Sequence, residues 1–259
     1  MPLTTVPTPP GLFEQRQSPN AGIGVFAIAA IPSGTRILCE APLFALPDDD
    51  DVIECYLTIK DLPLDQQSLF WSLAASSSPP GDTDWIGELR DACDDRLTIH
   101  ALRDIRPGEE ICTAYIDICH DTAERRRILH HWGFKCCCEA CETQDPAREA
   151  RRSKLEELMT VMQRRENKRS FENWGTWDYA EALATVEKII CLMLEDGLEE
   201  TDTLGVAYEN AAEYNLAMGC KEDAVKWAEK DLEIERKCCG EDSDEYANAL
   251  KLLESARAA

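Results

Sequence analysis

The chain has 259 residues, of which 44% are hydrophobic, and it carries a formal net charge of −23 with a pI near 4.5. The apolar content is sufficient for one large domain or two smaller ones. The negative charge repels phosphate backbones, so we expect no direct nucleic-acid binding; it favours a basic protein partner or serves solubility alone. No apolar run approaches the roughly 20 residues of a membrane-spanning helix, and we expect no membrane association.

The N-terminus and the 13 cysteines indicate an intracellular chain. Residues 1–10 lack the apolar core of a signal peptide, and we expect them to form a disordered tail. In a reducing compartment, this odd number of thiols favours metal-bound and free cysteines over disulfides. We therefore expect a cytoplasmic or nuclear location, and the oligomeric state stays open.

The first part of the chain, residues 11–47, has the pattern of a small β-rich unit. Glycine and proline positions and short alternating segments predict a turn at 22–24, a strand at 25–27, a turn at 31–34 and a strand at 35–40. Leucines at helical spacing then predict a helix within residues 52–75.

A Ser/Pro/Gly-rich stretch at residues 76–82 predicts a linker. The pattern beyond it predicts a strand at 97–101, a turn at 106–109, a strand at 111–115 and a helix at 121–131.

Three cysteines follow that helix in C-x-C-x-x-C spacing, at Cys136, Cys138 and Cys141. Thiolates this close in sequence form one corner of a tetrahedral zinc site, which needs a further ligand from elsewhere. Candidates in this part of the chain are Cys112, Cys119, His130 and His131.

From about residue 148 the strand patterns end and helical ones take over. One apolar helical stripe consists of Leu183, Val186, Ile190 and Leu194. Two helices are predicted at 203–218 and 221–237, separated by Gly219 as a helix stop. A capping box formed by Asp242 and Glu245 predicts a last helix at 243–257.

The helix pair around Gly219 resembles a tetratricopeptide-like hairpin. The resemblance lies in its small and aromatic contact positions, which are Ala211, Tyr214, Gly219, Ala224 and Ala228.

Three groups of motifs in order resemble a SET domain with its post-SET zinc segment. They are GIGVFA (22–27) with IPSGT (31–35) and EAPL (40–43), ALRDIRPGEEICTAY (101–115), and RRR (125–127) with WGF (132–134) before the cysteines. Together they resemble the SET-and-MYND branch in its fungal form without a MYND finger.

This resemblance implies an α+β fold. A SET-like domain of small β-sheets with a post-SET zinc segment would span residues 11–142, and an all-α tetratricopeptide-like domain would span residues 148–259. Members of the family are protein-lysine methyltransferases that use S-adenosylmethionine, which implies a basic protein or peptide substrate here.

The resemblance also implies roles for particular residues. Tyr115 corresponds to the catalytic tyrosine, and Ile23 and Gly24 present backbone groups to the cofactor. Phe134 packs on the cofactor's adenine or lines the lysine channel. Each has a structural alternative: a turn glycine, an ordinary strand tyrosine, or a phenylalanine that covers the zinc site.

The sequence departs from the family at the central Asn-His-Ser-Cys signature. RDACDD stands there, at residues 90–95, and it retains only Cys93, which the resemblance makes the fourth zinc ligand. Three hypotheses follow. The chain is an active methyltransferase with a divergent cofactor loop, a catalytically impaired, zinc-stapled interaction protein, or a gene product that lacks an internal segment.

Overall fold

A computed structural model describes residues 11–18, 22–40, 60–72, 97–131, 135–143, 145–171, 178–199 and 201–258. The strands are β1 (Phe13–Gln17), β2 (Ile23–Ala27), β3 (Arg36–Glu40) and β4 (Leu97–His100). The helices are α1 (Leu64–Ser72), α2 (Thr122–His131), α3 (Glu139–Glu142), α4 (Pro146–Phe171), α5 (Tyr179–Glu195), α6 (Asp202–Ala217), α7 (Lys221–Cys238) and α8 (Asp244–Ala258). Among the described residues, no helix has both the length and the apolar character that crossing a membrane requires.

The strands form two small antiparallel sheets, β1 with β2 and β3 with β4. Gly22, with a φ of +57°, stands just before β2, and the Ser18 N–H donates to its carbonyl at 3.0 Å. A register irregularity lies between Arg36 and Leu38 in β3. Sheets this small do not bury both faces, so their stability depends on what packs against them.

The turn predicted at residues 106–109 is confirmed, and it carries a chain segment onto β2. Gly108 has a φ of +79°, a backbone conformation that favours glycine. The Ala27 N–H donates to the Glu109 carbonyl at 2.9 Å, and the Ile111 N–H donates to the Val25 carbonyl at 2.8 Å. The core beneath this hairpin consists of Ala27, Ile31, Ile37, Ala101 and Ile105.

Two local predictions in this region are wrong. Ile23 and Gly24 belong to β2, so only Gly22 of the predicted turn lies outside the strand. The strand predicted at 111–115 does not form, because after Ile111 the chain leaves β2, and among the described residues no strand pairs with the next four. The helix predicted at 121–131 is confirmed as α2.

Helices α4 to α8 pack in sequence order, with α4 to α7 around a second core and α8 against α6 and α7 around Ala212, Ala228 and Leu253. The apolar stripe of α5 is shifted from the predicted one, because Leu194 is 38% exposed. The buried face consists of Ala182, Val186, Ile189, Ile190 and Met193. The small Ala182, with no exposed surface, lets neighbouring elements approach the helix closely.

Helices α6 and α7 are the predicted pair, with Gly219 at a φ of +76° between them. The Cys220 N–H donates to the Asn215 carbonyl at 2.8 Å and closes the end of α6. The capping box predicted for α8 is wrong. Ser243 is the cap, since its Oγ accepts from the Tyr246 N–H at 3.1 Å.

Asp242 instead joins the helices to the second sheet. Its carboxylate accepts from both terminal nitrogens of Arg36 in β3. The Arg36 Nε donates to His100 Nε2 at 3.1 Å, and a Cβ built on Gly34 would lie 3.6 Å from Cγ of Lys237. We call this contact the junction of Arg36, His100 and Asp242.

A second link ties the chain before α2 to the helical region. Arg152 on α4, 5% exposed, donates to the Ile118 carbonyl and to the Asp196 carboxylate. Arg151 donates to the other carboxylate oxygen at 2.5 Å. The Asp196 side chain is 1% exposed, so this is a buried ion cluster.

Candidate functional site

The three cysteines of the C-x-C-x-x-C segment come together as predicted. The sulfur atoms of Cys136, Cys138 and Cys141 all lie within 4.8 Å of one another, and no other described residues form a group of this kind. Cys138 precedes the short helix α3, and its carbonyl accepts from the Cys141 N–H at 3.0 Å. This one-turn helix folds the third thiol back onto the first two.

Two neighbouring arginines of α2 lie against this cysteine loop. Arg126 donates to the Cys141 carbonyl at 2.8 Å and so fixes the loop backbone. Arg125 is 8% exposed, and its positive charge is a minor influence that acts to lower the pKa of the Cys138 and Cys141 thiols.

The pKa values of the thiols differ within the cluster. For Cys141, burial first and then the neighbouring Cys138 raise the pKa to about 12. For Cys138, burial raises the pKa, but hydrogen bonds from the Cys141 backbone and from the two other thiols outweigh it and lower the pKa overall. The Cys138 sulfur therefore carries charge more readily than the Cys141 sulfur.

The donor set fits zinc. Soft thiolates at tetrahedral spacing are the ligands of structural zinc sites, and the nearby arginine offsets their charge. Among candidates for a fourth ligand, Cys119 is 2% exposed and packs in the helical core. Burial and then the charge of Glu110 raise the pKa of Cys112, whose sulfur lies outside the group of three. Cys93 lies outside the described residues.

The β2 edge carries the residues expected to meet the cofactor. The Ile28 N–H donates to the Leu12 carbonyl in the β1 direction, while Val25 and Ala27 bond to residues 109–111 on the other side. The backbone N–H and C=O groups of successive residues in a strand point to opposite sides. Those of Ile23 therefore point to the same side as those of Val25, but past the Ile111–Val25 hydrogen bond, where the docked segment has ended. Those of Gly24 point towards β1. The exposed edge at Ile23 fits a ligand that hydrogen-bonds to backbone.

Gly24 has a different structural role, which the sequence analysis missed. A Cβ built on Gly24 would collide with the Glu110 carboxylate and lie 3.0 Å from the Phe26 ring. The same carboxylate accepts from the Ser18 hydroxyl at 3.1 Å. The absence of a side chain at Gly24 leaves room for the Glu110 carboxylate beside β2. The sequence contained a signal for this role. Two consecutive glutamates follow Gly108, and the Glu109 carboxylate accepts hydrogen bonds from Arg103 and from the Arg106 N–H within the turn. The second glutamate, Glu110, is therefore placed to contact β2.

Tyr115 lies on the connection between the hairpin and α2. Its side chain is 51% exposed. On the N-terminal side of Tyr115, the hydrogen bond between Ile111 and Val25 fixes the chain. On its C-terminal side, the hydrogen bond from Arg152 to the Ile118 carbonyl does the same. The tyrosine therefore lies between two fixed points, on the chain that continues from the β2 edge. Phe134 and the segment 90–95 lie outside the described residues.

The family profile of the SET domain matches residues 22–116. The chain is 33% identical to histone-lysine N-methyltransferase set5 of Schizosaccharomyces pombe, over 49% of this chain and 49% of that protein. It is 40% identical to histone-lysine N-methyltransferase SET5 of Scheffersomyces stipitis, over 22% of this chain and 12% of the relative.

A human protein also matches. The chain is 40% identical to N-lysine methyltransferase SMYD2 of Homo sapiens, over 18% of this chain and 11% of that protein. The chain thus spans about half the length of the fission yeast relative and a much smaller part of the other two.

Proposed function

Because the chain carries a SET domain of the SET-and-MYND-like branch, we propose that it is an S-adenosylmethionine-dependent protein-lysine methyltransferase. The observation that carries the proposal is the docking of residues 108–111 on β2. It brings the chain that bears Tyr115 to the same strand whose edge exposes the backbone of Ile23.

In this proposal the chain's own residues bind and orient. The backbone of Ile23 bonds the cofactor at the β2 edge, and Gly24 keeps that edge closely packed against Glu110. When bound, the cofactor supplies a methyl group on a sulfonium sulfur. The Tyr115 hydroxyl orients the incoming amine. Because free lysine has a pKa of about 10.4, the amine must lose its proton before it reacts. Most of the rate gain then comes from positioning.

Two further residues complete the proposal. Phe134 packs on the cofactor's adenine or lines the lysine channel, and Cys93 joins Cys136, Cys138 and Cys141 around one zinc ion. Cys112 remains the alternative fourth ligand, as a thiol of the chain that precedes the cysteine cluster. In the finer division of the chain, a SET-like domain with its post-SET zinc segment ends at about residue 142 and a helical domain begins at about 148.

We propose that the helical domain is tetratricopeptide-like. Its expected contact residues Ala211, Tyr214, Ala224 and Ala228 each have no exposed surface, which supports close packing of α6 against α7. The net charge of −23 favours a substrate rich in lysine and arginine, and the chain would act in the nucleus or the cytoplasm.

Calorimetry with S-adenosylmethionine tests the first step. We expect saturable binding, and then methyl transfer to a basic peptide such as a histone tail. Tyr115→Phe is expected to abolish transfer and leave cofactor binding nearly unchanged, whereas Tyr246→Phe on α8, far along the chain, is the matched control and should retain both. Retained transfer by Tyr115→Phe would mean that another residue has this role.

Elemental analysis tests the zinc site. We expect one zinc per chain, lost in Cys138→Ser and retained in Cys137→Ser, because Cys137 lies outside the group of three converging sulfurs. A wild-type chain purified with zinc in the buffer but containing none would exclude the site.

One observation favours a second function, that of a non-catalytic interaction protein. The segment 90–95 has Arg90 and Asp91 where the family has the Asn and His that hold the cofactor. Loss of several hydrogen bonds of about 0.5–1.5 kcal/mol each would weaken cofactor binding by orders of magnitude. Calorimetry without detectable heat at millimolar cofactor, from a folded, zinc-containing chain, would support this second function.

A further inference from the structure

Ser18 directly follows β1, and it connects two parts of the proposed cofactor site. It is 6% exposed. Its hydroxyl donates to Glu110 Oε2 at 3.1 Å, and its backbone N–H donates to the Gly22 carbonyl at 3.0 Å. Ser18 therefore joins the Glu110 carboxylate, which follows the turn at 106–109, to the peptide group that precedes Ile23.

The Gly22 carbonyl determines where the Ile23 N–H points. The two groups belong to one planar trans peptide, so they point in opposite directions. Because the carbonyl points to Ser18 and thus towards β1, the Ile23 N–H points away from β1, to the exposed edge of β2. A group that holds this carbonyl therefore fixes the direction of the donor that is proposed to meet the cofactor.

The Glu110 carboxylate also contacts the residue on the other side of Ile23. Its Oε1 stands beside Gly24, in the space that a Cβ would need, while its Oε2 accepts from Ser18. One carboxylate thus acts on both neighbours of Ile23, on Gly24 by direct contact and on Gly22 through Ser18.

The backbone that carries this carboxylate is itself held against the first sheet. Phe26 and Glu110 form an antiparallel bridge. Arg16 donates to the Gly108 carbonyl at 3.2 Å, and its guanidinium lies 3.9 Å from the centroid of the Phe26 ring. These contacts fix β1, β2 and the turn to one another, so the Glu110 side chain extends from a backbone that is held in place.

We propose that Glu110 is a positioning residue for the cofactor: through Ser18 and Gly24 it holds the peptide groups of Ile23 in the direction in which they bond S-adenosylmethionine. The inference rests on the proposed function. Donors that are already ordered bind a ligand more tightly than donors that become ordered only on binding, because the entropy cost of ordering does not reduce the affinity. Loss of the carboxylate or of the Ser18 hydroxyl therefore weakens cofactor binding without removing a cofactor contact.

The test uses the full chain and measures the dissociation constant of S-adenosylmethionine by calorimetry. Glu110→Ala and Ser18→Ala are each expected to weaken binding about tenfold, and the double variant should be no weaker than Glu110→Ala alone. Glu110→Gln keeps the shape and an acceptor oxygen, so its affinity should stay within about twofold of the wild type. Glu14→Ala, at an exposed position on β1, is the matched control and should bind like the wild type. The Michaelis constant for a basic peptide should be the same in every variant, which separates this role from a general loss of structure.

Amide hydrogen exchange tests the same link without the cofactor. The Ser18 N–H, which donates to the Gly22 carbonyl, is expected to exchange about tenfold faster in Glu110→Ala and at the wild-type rate in Glu110→Gln. Wild-type cofactor affinity in Glu110→Ala overturns the inference, and if that variant does not fold, wild-type affinity in Ser18→Ala overturns it. A wild-type chain that binds no cofactor, although its Ser18 exchange responds as expected, refutes the proposed function and leaves Glu110 a structural role alone.

Discussion

Two carboxyl groups are buried where α7 faces α6. Asp231 is 3% exposed and Glu235 9%, and they lie beside Gly205, where a Cβ would come within 2.6 Å of Glu235 Oε1. Burial, followed by the charges of Glu209 and Glu235, raises the pKa of Asp231 to about 7. We predict that Asp231→Asn, which has the same shape but cannot ionise, stabilises the protein at neutral pH.

The sign follows from proton binding. Asp231 has an ordinary pKa of 3.8 and a pKa of about 7 in the folded protein, so between these values the folded state holds a proton that the unfolded state has lost. Stability from this group is therefore complete below about pH 4 and is lost as the pH rises towards 7. The slope is about 1.4 kcal/mol per pH unit, or about 3 kcal/mol between about pH 5 and pH 7.

Urea denaturation followed by circular dichroism, from about pH 5 to pH 8, measures this difference. The free energy of unfolding of Asp231→Asn minus that of the wild type is expected to grow by about 3 kcal/mol over that range and to level off above it. Asp223→Asn, at an exposed position in the first turn of the same helix, is the control and should follow the wild-type pH profile. Parallel profiles for Asp231→Asn and the wild type would refute the buried, protonated carboxyl.

Two further predictions concern the links between the sheets and the helices. Arg152→Met is expected to lower the free energy of unfolding by about 3 kcal/mol, since it leaves a buried carboxylate with only one cation, whereas the more exposed Arg151→Met should cost about 1 kcal/mol. Urea denaturation distinguishes them, and equal losses would contradict a buried ion cluster centred on Asp196. At the junction, Arg36→Ala and Asp242→Ala are expected to cost about 1 kcal/mol each, with a coupling of about 0.5 kcal/mol that falls at high salt. A double-mutant cycle without coupling would show that the pair contributes nothing.

Structural features that depend on residues close in sequence were predicted correctly. The C-x-C-x-x-C spacing anticipated the convergence of three sulfurs, because a single turn of helix α3 is sufficient to bring them together. Gly219 anticipated the break between α6 and α7, because its positive φ is a local property of the backbone. Helix α2 was predicted to within a residue at its start.

Contacts between distant residues were not predictable in the same way. Asp242 has the sequence context of a helix cap, yet its carboxylate bonds Arg36 in β3, and the neighbouring Ser243 caps α8. Arg125 is one of three consecutive arginines, and only the packing of α2 shows that this one is buried. The absence of a strand after Ile111 likewise depends on whether a partner strand lies beside it.

The ion pair between Arg36 and Asp242 has a consequence for biosynthesis. The two residues are 206 positions apart in the chain. At a synthesis rate of about 5–20 residues per second, Arg36 is synthesised about 10–40 seconds before its partner. In the later part of that interval, once β4 has been made, β3 and β4 have no helical support from α7 and α8, and their edges are open to other nascent chains. We therefore expect molecular chaperones to associate with the early translation product and to be released once α8 has emerged.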